Sequence, residues 1–387
     1  MKYVILRCED LAPSATRATS LLDGAKVLHL QQLAQAGAAG LIRARSEQGI
    51  LDRFGLHRAL LGLAPGDPQV SGGQCYAAAL NLHAAPGETI WCCDLVTQRD
   101  GRIVDASAGH VTTKEAEVLV HALDERFGSE TRRWEVGQGS HHLLIVRDPL
   151  LGSDGLALHA PDLLIGQLWA RQLPKGSSGE ALQSLINQTA QLLELHPING
   201  VRTDLGENPA NMIWLWGASD HRPGRAFSDR TGQRGAVSSS SLLLRGLART
   251  QGLAWKEGPA SFQEPAIQRW MKTIRSLVEA HDVVYLHAGI DSGDPVERLC
   301  AMERLDQLIL APLTEWLPTL GSWRLLTVVD RGHESAVPFV AIGTGLPRQP
   351  VAHLSVEALA ASPLAFGEPD ALFPWFTQEG AAAATAT

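Results

Sequence analysis

The five cysteines of this 387-residue chain, Cys8, Cys75, Cys92, Cys93 and Cys300, form no CxxC pair and no spaced metal set. An odd count in a chain of this size favours reduced thiols and a cytoplasmic protein. There is no block of Lys and Arg, and the net charge is −8. The clustered cations that neutralise phosphates are therefore missing, which excludes a nucleic-acid partner. No apolar run approaches the roughly 20 residues that span a bilayer. The opening MKYVIL lacks a basic n-region, a long apolar stretch and a cleavage site, so it reads as a strand. No repeat is visible, and the Ala/Thr-rich end predicts a disordered tail over 378–387.

What remains is an ordinary globular balance, 45% hydrophobic and 19% charged. The length suits one large α/β domain with an insertion, or two domains. Tyr3 to Leu6 and Leu41 to Ala44 read as strands, with a helix between them from about Ala25 to Ala36. From Glu88 the texture changes. Two strand-like runs, Ile90 to Thr97 and Arg102 to Asp105, flank the turn Arg99-Asp100-Gly101. A Thr-Thr-Lys-Glu capping sequence then opens a helix from Lys114 to Arg126. Two more strands follow, at Trp134 to Val136 and His142 to Val146. The expectation is an inserted αβ domain over 88–174, between two halves (1–87 and 175–377) of a larger sheet.

A long helix is expected over Glu180 to Leu195. The main pattern then resumes with strands at Met212 to Trp216, Val283 to His287, Leu325 to Val329 and Phe339 to Ile342. Helices between them argue a mainly parallel sheet covered on both faces. In such sheets chemistry gathers at the carboxyl ends of the strands. Those ends carry Glu9 and Asp10, then Asp291 and Asp294, then Asp330 and His333. Carboxylates and imidazoles converging from separate strands suit a hard or borderline divalent metal. Acids after strands also cap helices, and His287 at a strand end reads first as a packed core histidine.

The run Asn208-Pro209-Ala210-Asn211-Met212-Ile213-Trp214-Leu215-Trp216-Gly217, with His196-Pro197-Ile198-Asn199 upstream, resembles the archaeal-type cofactor-independent phosphoglycerate mutases, in their bacterial branch. Further segments share the resemblance: 94–116, 141–148, 234–249, 282–288, 301–306 and 328–339. It implies an alkaline-phosphatase-like α/β fold with an inserted domain. It also implies two divalent ions and a serine nucleophile that carries phosphate between the 2- and 3-positions of phosphoglycerate.

The departures fall on that chemistry. Glu9 takes the place of the family's first aspartate ligand, and Asp10 replaces a glycine. Counting back from Leu61-Gly62, the serine position falls near Arg53, so no catalytic nucleophile is assigned; Ser46 and Asp52 lie out of register. Asp291 and Asp294 lack the accompanying histidine. Asp330 keeps its place, Arg331 replaces a histidine, and His333 is a substitute ligand. The substrate-side arginines become Gly73 and His141, the loop at 260–264 shares almost nothing, and Arg234 and Arg245 replace lysines. Ser107-Ala108-Gly109-His110 is intact.

The metal candidates are thus Glu9, Asp10, Asp291, Asp330 and His333, holding one divalent ion (Mn, Zn or Mg) or none. The ligand-binding candidates are His110, His141, Arg234 and Arg245. The leading expectation is a mutase homologue that has lost the mutase mechanism. It would bind a small phosphorylated or carboxylated metabolite or a protein partner. A single-metal phosphatase-like hydrolase, and a mutase still active through a displaced residue such as Ser46, are the alternatives.

Overall fold

The computed structural model describes residues 1–9, 25–43, 45–46, 49–50, 53–64, 70–152, 158–220, 224–289, 294–330 and 336–378. The tail beyond 378 lies outside them. The chain forms two compact units, Met1–Gly66 with Arg225–Thr387, and Asp67–Gly224. Among the described residues no helix is long and apolar enough to cross a membrane.

The first unit is built on an eight-stranded sheet. Its order is Ala254–Glu257, Gly235–Ser239, Val283–Gly289, Lys2–Glu9, Trp323–Asp330, Ala336–Gly343, Ala38–Arg43 and Ala365–Phe366. The first five strands are parallel to one another. Ala336–Gly343 runs antiparallel to both its neighbours. Only five residues separate Trp323–Asp330 from Ala336–Gly343, too few for the crossover of a dozen or more that a parallel pair needs, in keeping with their antiparallel pairing.

Successive side chains of a strand point to opposite faces. On one face Val4, Leu6 and Cys8 join Val284, Leu286, Ala288 and Leu325 in a core shared with helices Leu28–Ala36, Glu264–Ala280 and Pro295–Leu305. The other face carries Tyr3, Ile5, Arg7 and Glu9, all buried. The Leu28–Ala36 helix begins three residues later than expected and has no side-chain cap of its own. Buried Asp306, at the start of a π-helical turn, accepts from His29 N–H (3.0 Å) and Leu30 N–H (2.8 Å) instead. A carboxylate remote in sequence thus satisfies the helix's first free donors.

The second unit contains a sheet in which Met212–Ser219, Thr89–Arg99, His141–Val146 and Arg132–Gln138 pair antiparallel in that order, with Arg102–Asp105 also on Thr89–Arg99. This corrects the expectation that Met212 to Trp216 belongs to the main sheet. The strand pairs with Thr89–Arg99 instead, placing Leu215 opposite Cys93 and Ile213 opposite Leu95. The helix Ser177–Glu194 lies in the same unit. The unit is accordingly wider than the expected 88–174.

Local signals are realised closely here. Asp100 (φ 51°) and Gly101 (φ 72°) make the left-handed pair that a two-residue hairpin requires. Thr112 and Glu115 form a reciprocal capping box on the helix Thr113–Phe127. The Asn-rich run is an anchoring device. Asn211 accepts from Gln98 N–H (2.8 Å), Asn208 donates to Asp105 (2.9 Å), and Asn199 accepts from Ala210 N–H (2.8 Å). Trp214 and Trp216 are buried with their indole N–H groups satisfied, by His159 O and Asp94 respectively.

His142 supplies a pH dependence. Its Nδ1 accepts from Gly137 N–H (3.0 Å), while its buried Nε2 has no hydrogen-bond partner. Burial pushes its pKa down to about 3. As pH falls below roughly 6.5 the unfolded chain takes up this proton and the folded one does not. Stability should therefore fall by about 1.4 kcal/mol per pH unit from this group between roughly 6.5 and 3. In urea titrations over that range, His142→Asn, which keeps an acceptor for Gly137, should lower the pH slope by about one proton. An unchanged slope would contradict the assignment.

Candidate functional site

In the first unit, lateral register sets four charged or polar side chains side by side. Arg7 pairs with His287 on one neighbouring strand, and Glu9 with Asp330 on the other. Ser239 stands beside His287 at the end of the next strand, continuing the Ser238–Leu286 register. The helix Arg53–Leu60 buries His57 near the same sheet face.

Arg7 is the centre of the arrangement. Its fully buried guanidinium meets Asp330 through Nε (2.8 Å) and Nη2 (3.4 Å), and Glu9 Oε2 through Nη2 (3.0 Å). Its Nη1 donates to Arg53 O (3.0 Å). Burial opposes its charge, but Asp330 and Glu9 outweigh that and hold it protonated. Arg53 approaches Glu9 Oε1 at 3.4 Å from a side chain that is 36% exposed.

Two imidazoles converge on the same Glu9 oxygen, His57 Nε2 at 3.1 Å and His287 Nε2 at 3.3 Å. Each ring is held from behind by a hydroxyl. His57 Nδ1 lies 2.6 Å from Tyr285 Oη, and His287 Nδ1 lies 2.8 Å from Ser239 Oγ. Burial, and then the Arg7 charge, hold the His57 pKa well below its ordinary value, so its ring is neutral at pH 7. Burial raises the Glu9 pKa, but Arg7 and the two imidazoles overcome this and keep it well below the usual carboxylate range. The site is thus an anionic carboxylate facing a neutral His57, with the Arg7 guanidinium on the same Glu9 oxygen as the two imidazoles.

The expected metal ligands separate accordingly. Glu9 and Asp330 are brought together, with Arg7 between them. Asp10, Asp291 and His333 lie outside the described residues, as does Arg331. Asp294 caps the helix Pro295–Leu305, accepting from Val296 N–H (2.9 Å). Two ions do not fit the described residues, because Asp330 already meets a guanidinium through both oxygens. One ion fits the donor atoms of Glu9, His57 and His287, which lie within 4.8 Å of one another.

The ligand-binding candidates lie elsewhere. His110 is exposed in the second unit at φ 53°, after Ala108 and Gly109, which are also left-handed. His141, in the same unit, is 44% exposed, stacks on Tyr76 and meets buried Asp94 at 3.0 Å. In the first unit Arg234 is 71% exposed and lies 3.6 Å from Asp282. Arg245 is half-buried on the helix Leu242–Thr250, with no hydrogen-bond partner for its Nε.

Sequence reasoning passed over Arg7 and His57. A charged residue in the buried run KYVILRCE, two positions before an acid, was the available signal for Arg7. Removing one partner of a buried ion cluster leaves the others uncompensated, at a cost of about 3–5 kcal/mol. Arg7→Met should lose stability of that order in chemical denaturation; a loss below about 1 kcal/mol would show that the cluster is not buried as described.

Comparison with known proteins agrees with this architecture. The profile of the 2,3-bisphosphoglycerate-independent phosphoglycerate mutases matches residues 34–199. An enzyme of that name from Methanosarcina mazei is 29% identical over 327 residues, covering 82% of each chain. A probable enzyme of the same name from Geobacter sulfurreducens is 27% identical, over 88% of this chain and 90% of its own. The solved cofactor-independent phosphoglycerate mutase of Thermoplasma acidophilum superposes with a TM-score of 0.58 at 22% identity, covering 98% of this chain and 99% of its own. The chain is a homologue of the 2,3-bisphosphoglycerate-independent phosphoglycerate mutases and carries their alkaline-phosphatase-like α/β fold.

Proposed function

We propose that this homologue has lost the phosphoserine route of the phosphoglycerate mutases and acts as a binding protein in the cytoplasm. Its ligand would be a small phosphorylated or carboxylated metabolite, the chemical class that the relatives' names describe, or a protein partner. The observation that carries this reading is the commitment of Glu9 and Asp330 to the buried Arg7 guanidinium. Carboxylates held this way have little capacity left for paired cations, and two ions about 3.5–4 Å apart are what an in-line phosphoryl transfer needs. Arg53, at the position that the resemblance gives to the nucleophile, has no hydroxyl to accept phosphate.

The inserted-domain arrangement is retained in this reading, with the second unit in the insert's role. Its Asp94–His141 pair and exposed His110 are the groups we assign to ligand contact there. In the first unit Arg234 and Arg245 supply positive charge. A second reading, a hydrolase with one divalent ion, draws support from the convergence of two imidazoles and a carboxylate. A bound ion in such a site activates water at neutral pH, and Glu9, His57 and His287 would hold it. Ser46, in the short strand Arg45–Ser46, remains the nucleophile of the third, active-mutase reading.

With 3-phosphoglycerate and manganese, the purified chain should show no interconversion at rates on the order of 1 per second or above. Mass spectrometry of the same sample should find no phosphoserine. Turnover at such a rate, abolished by Ser46→Ala, would overturn the reading in favour of the displaced nucleophile.

A further inference from the structure

We propose that Glu9, His57 and His287 form a mononuclear site for a borderline divalent cation of the zinc class. It shares only Glu9 with the ligand set implied by the resemblance. The geometry carries it. A tetrahedral ion with bonds of about 2.0–2.2 Å sets its donors roughly 3.3–3.6 Å apart. Here Glu9 Oε2 lies 3.1 Å from His57 Nε2 and 3.3 Å from His287 Nε2, at or just below that spacing, and all three donor atoms lie within 4.8 Å of one another.

The surroundings match what metal-binding histidines require. A ligating imidazole normally has its other nitrogen fixed by a hydrogen bond, which sets the tautomer and the ring orientation. Tyr285 Oη and Ser239 Oγ do this at 2.6 and 2.8 Å. The ring planes are inclined at 82° with centroids 4.9 Å apart, so the two imidazoles pack edge to face beside Glu9. Two imidazoles with one carboxylate favour zinc, cobalt or nickel over magnesium or calcium, which prefer oxygen donors. Three protein donors leave a fourth position open.

The competing arrangement uses the same five groups without an ion. Both imidazoles then donate Nε2–H to Glu9 and accept the two hydroxyl protons at Nδ1. Arg7, 3.0 Å from the same Glu9 oxygen, favours this closed network and weakens cation binding. The proposal therefore expects affinity that is lost on washing with a strong chelator and regained on adding zinc.

The full chain, stripped with chelator, is titrated with zinc chloride and with cobalt chloride. One ion per chain should bind, with the visible absorption of four-coordinate cobalt. His57→Gln and His287→Gln should each weaken binding at least tenfold and abolish that band, with circular dichroism unchanged. The chain holds 14 histidines, so His121→Ala, which removes an imidazole 61% exposed, serves as control and should bind as wild type. If either Gln variant proves unfolded, the proton-decoupled ring nitrogens of wild type give the readout: zinc should shift the Nε2 signals of two histidines. No binding above that of the Gln variants, or no such shift, would overturn the site. Neither result bears on loss of the mutase reaction, which rests on turnover and phosphoserine.

Discussion

The ion cluster of Arg7 with Glu9 and Asp330 determines what the strand ends of the first unit can do. A guanidinium that is fully buried cannot be left without counter-charges, because the desolvation penalty per ion is several kcal/mol. The two carboxylates that the topology brings together are the ones that meet this need. Arginine keeps its charge at every accessible pH, so it occupies the space beside those carboxylates permanently. The same residues would otherwise be free to ligate cations. In this chain the resident charge comes first: the Glu9 oxygen that faces the two imidazoles already meets Arg7.

Much of the fold was legible because its signals are local. The Thr112–Glu115 capping box and the Asp100-Gly101 turn are written within a few residues and appear as read. Buried parallel strands announced themselves as continuous apolar runs such as Val283–Gly289. What failed was partner choice. Met212–Ser219 is apolar on both faces and would suit either sheet; its antiparallel pairing with Thr89–Arg99 is a long-range fact that periodicity does not carry. The reversed strand Ala336–Gly343 was recoverable from connection length alone.

The site was only partly legible for a related reason. Strand-end acids were found by position, and Glu9 and Asp330 do meet. Their bond to Arg7 depends on lateral register between two strands, which no spacing in the sequence reports. His57 was hidden by the search for a hydroxyl at Arg53, four residues earlier on the same helix. His287 was expected in the core and is buried there, but with both ring nitrogens engaged by polar groups. The Asn-rich run that carried the resemblance proved to be scaffold, tying the second unit's strand entry to Gln98 and Asp105.

Crystals grown in excess manganese, with anomalous scattering collected at each strand end, test the central claim most directly. The account predicts Arg7 still lodged between Glu9 and Asp330, and no ion coordinated by Asp330. Two anomalous peaks about 3.5–4 Å apart, with Asp330 as a ligand and Arg7 displaced, would contradict it.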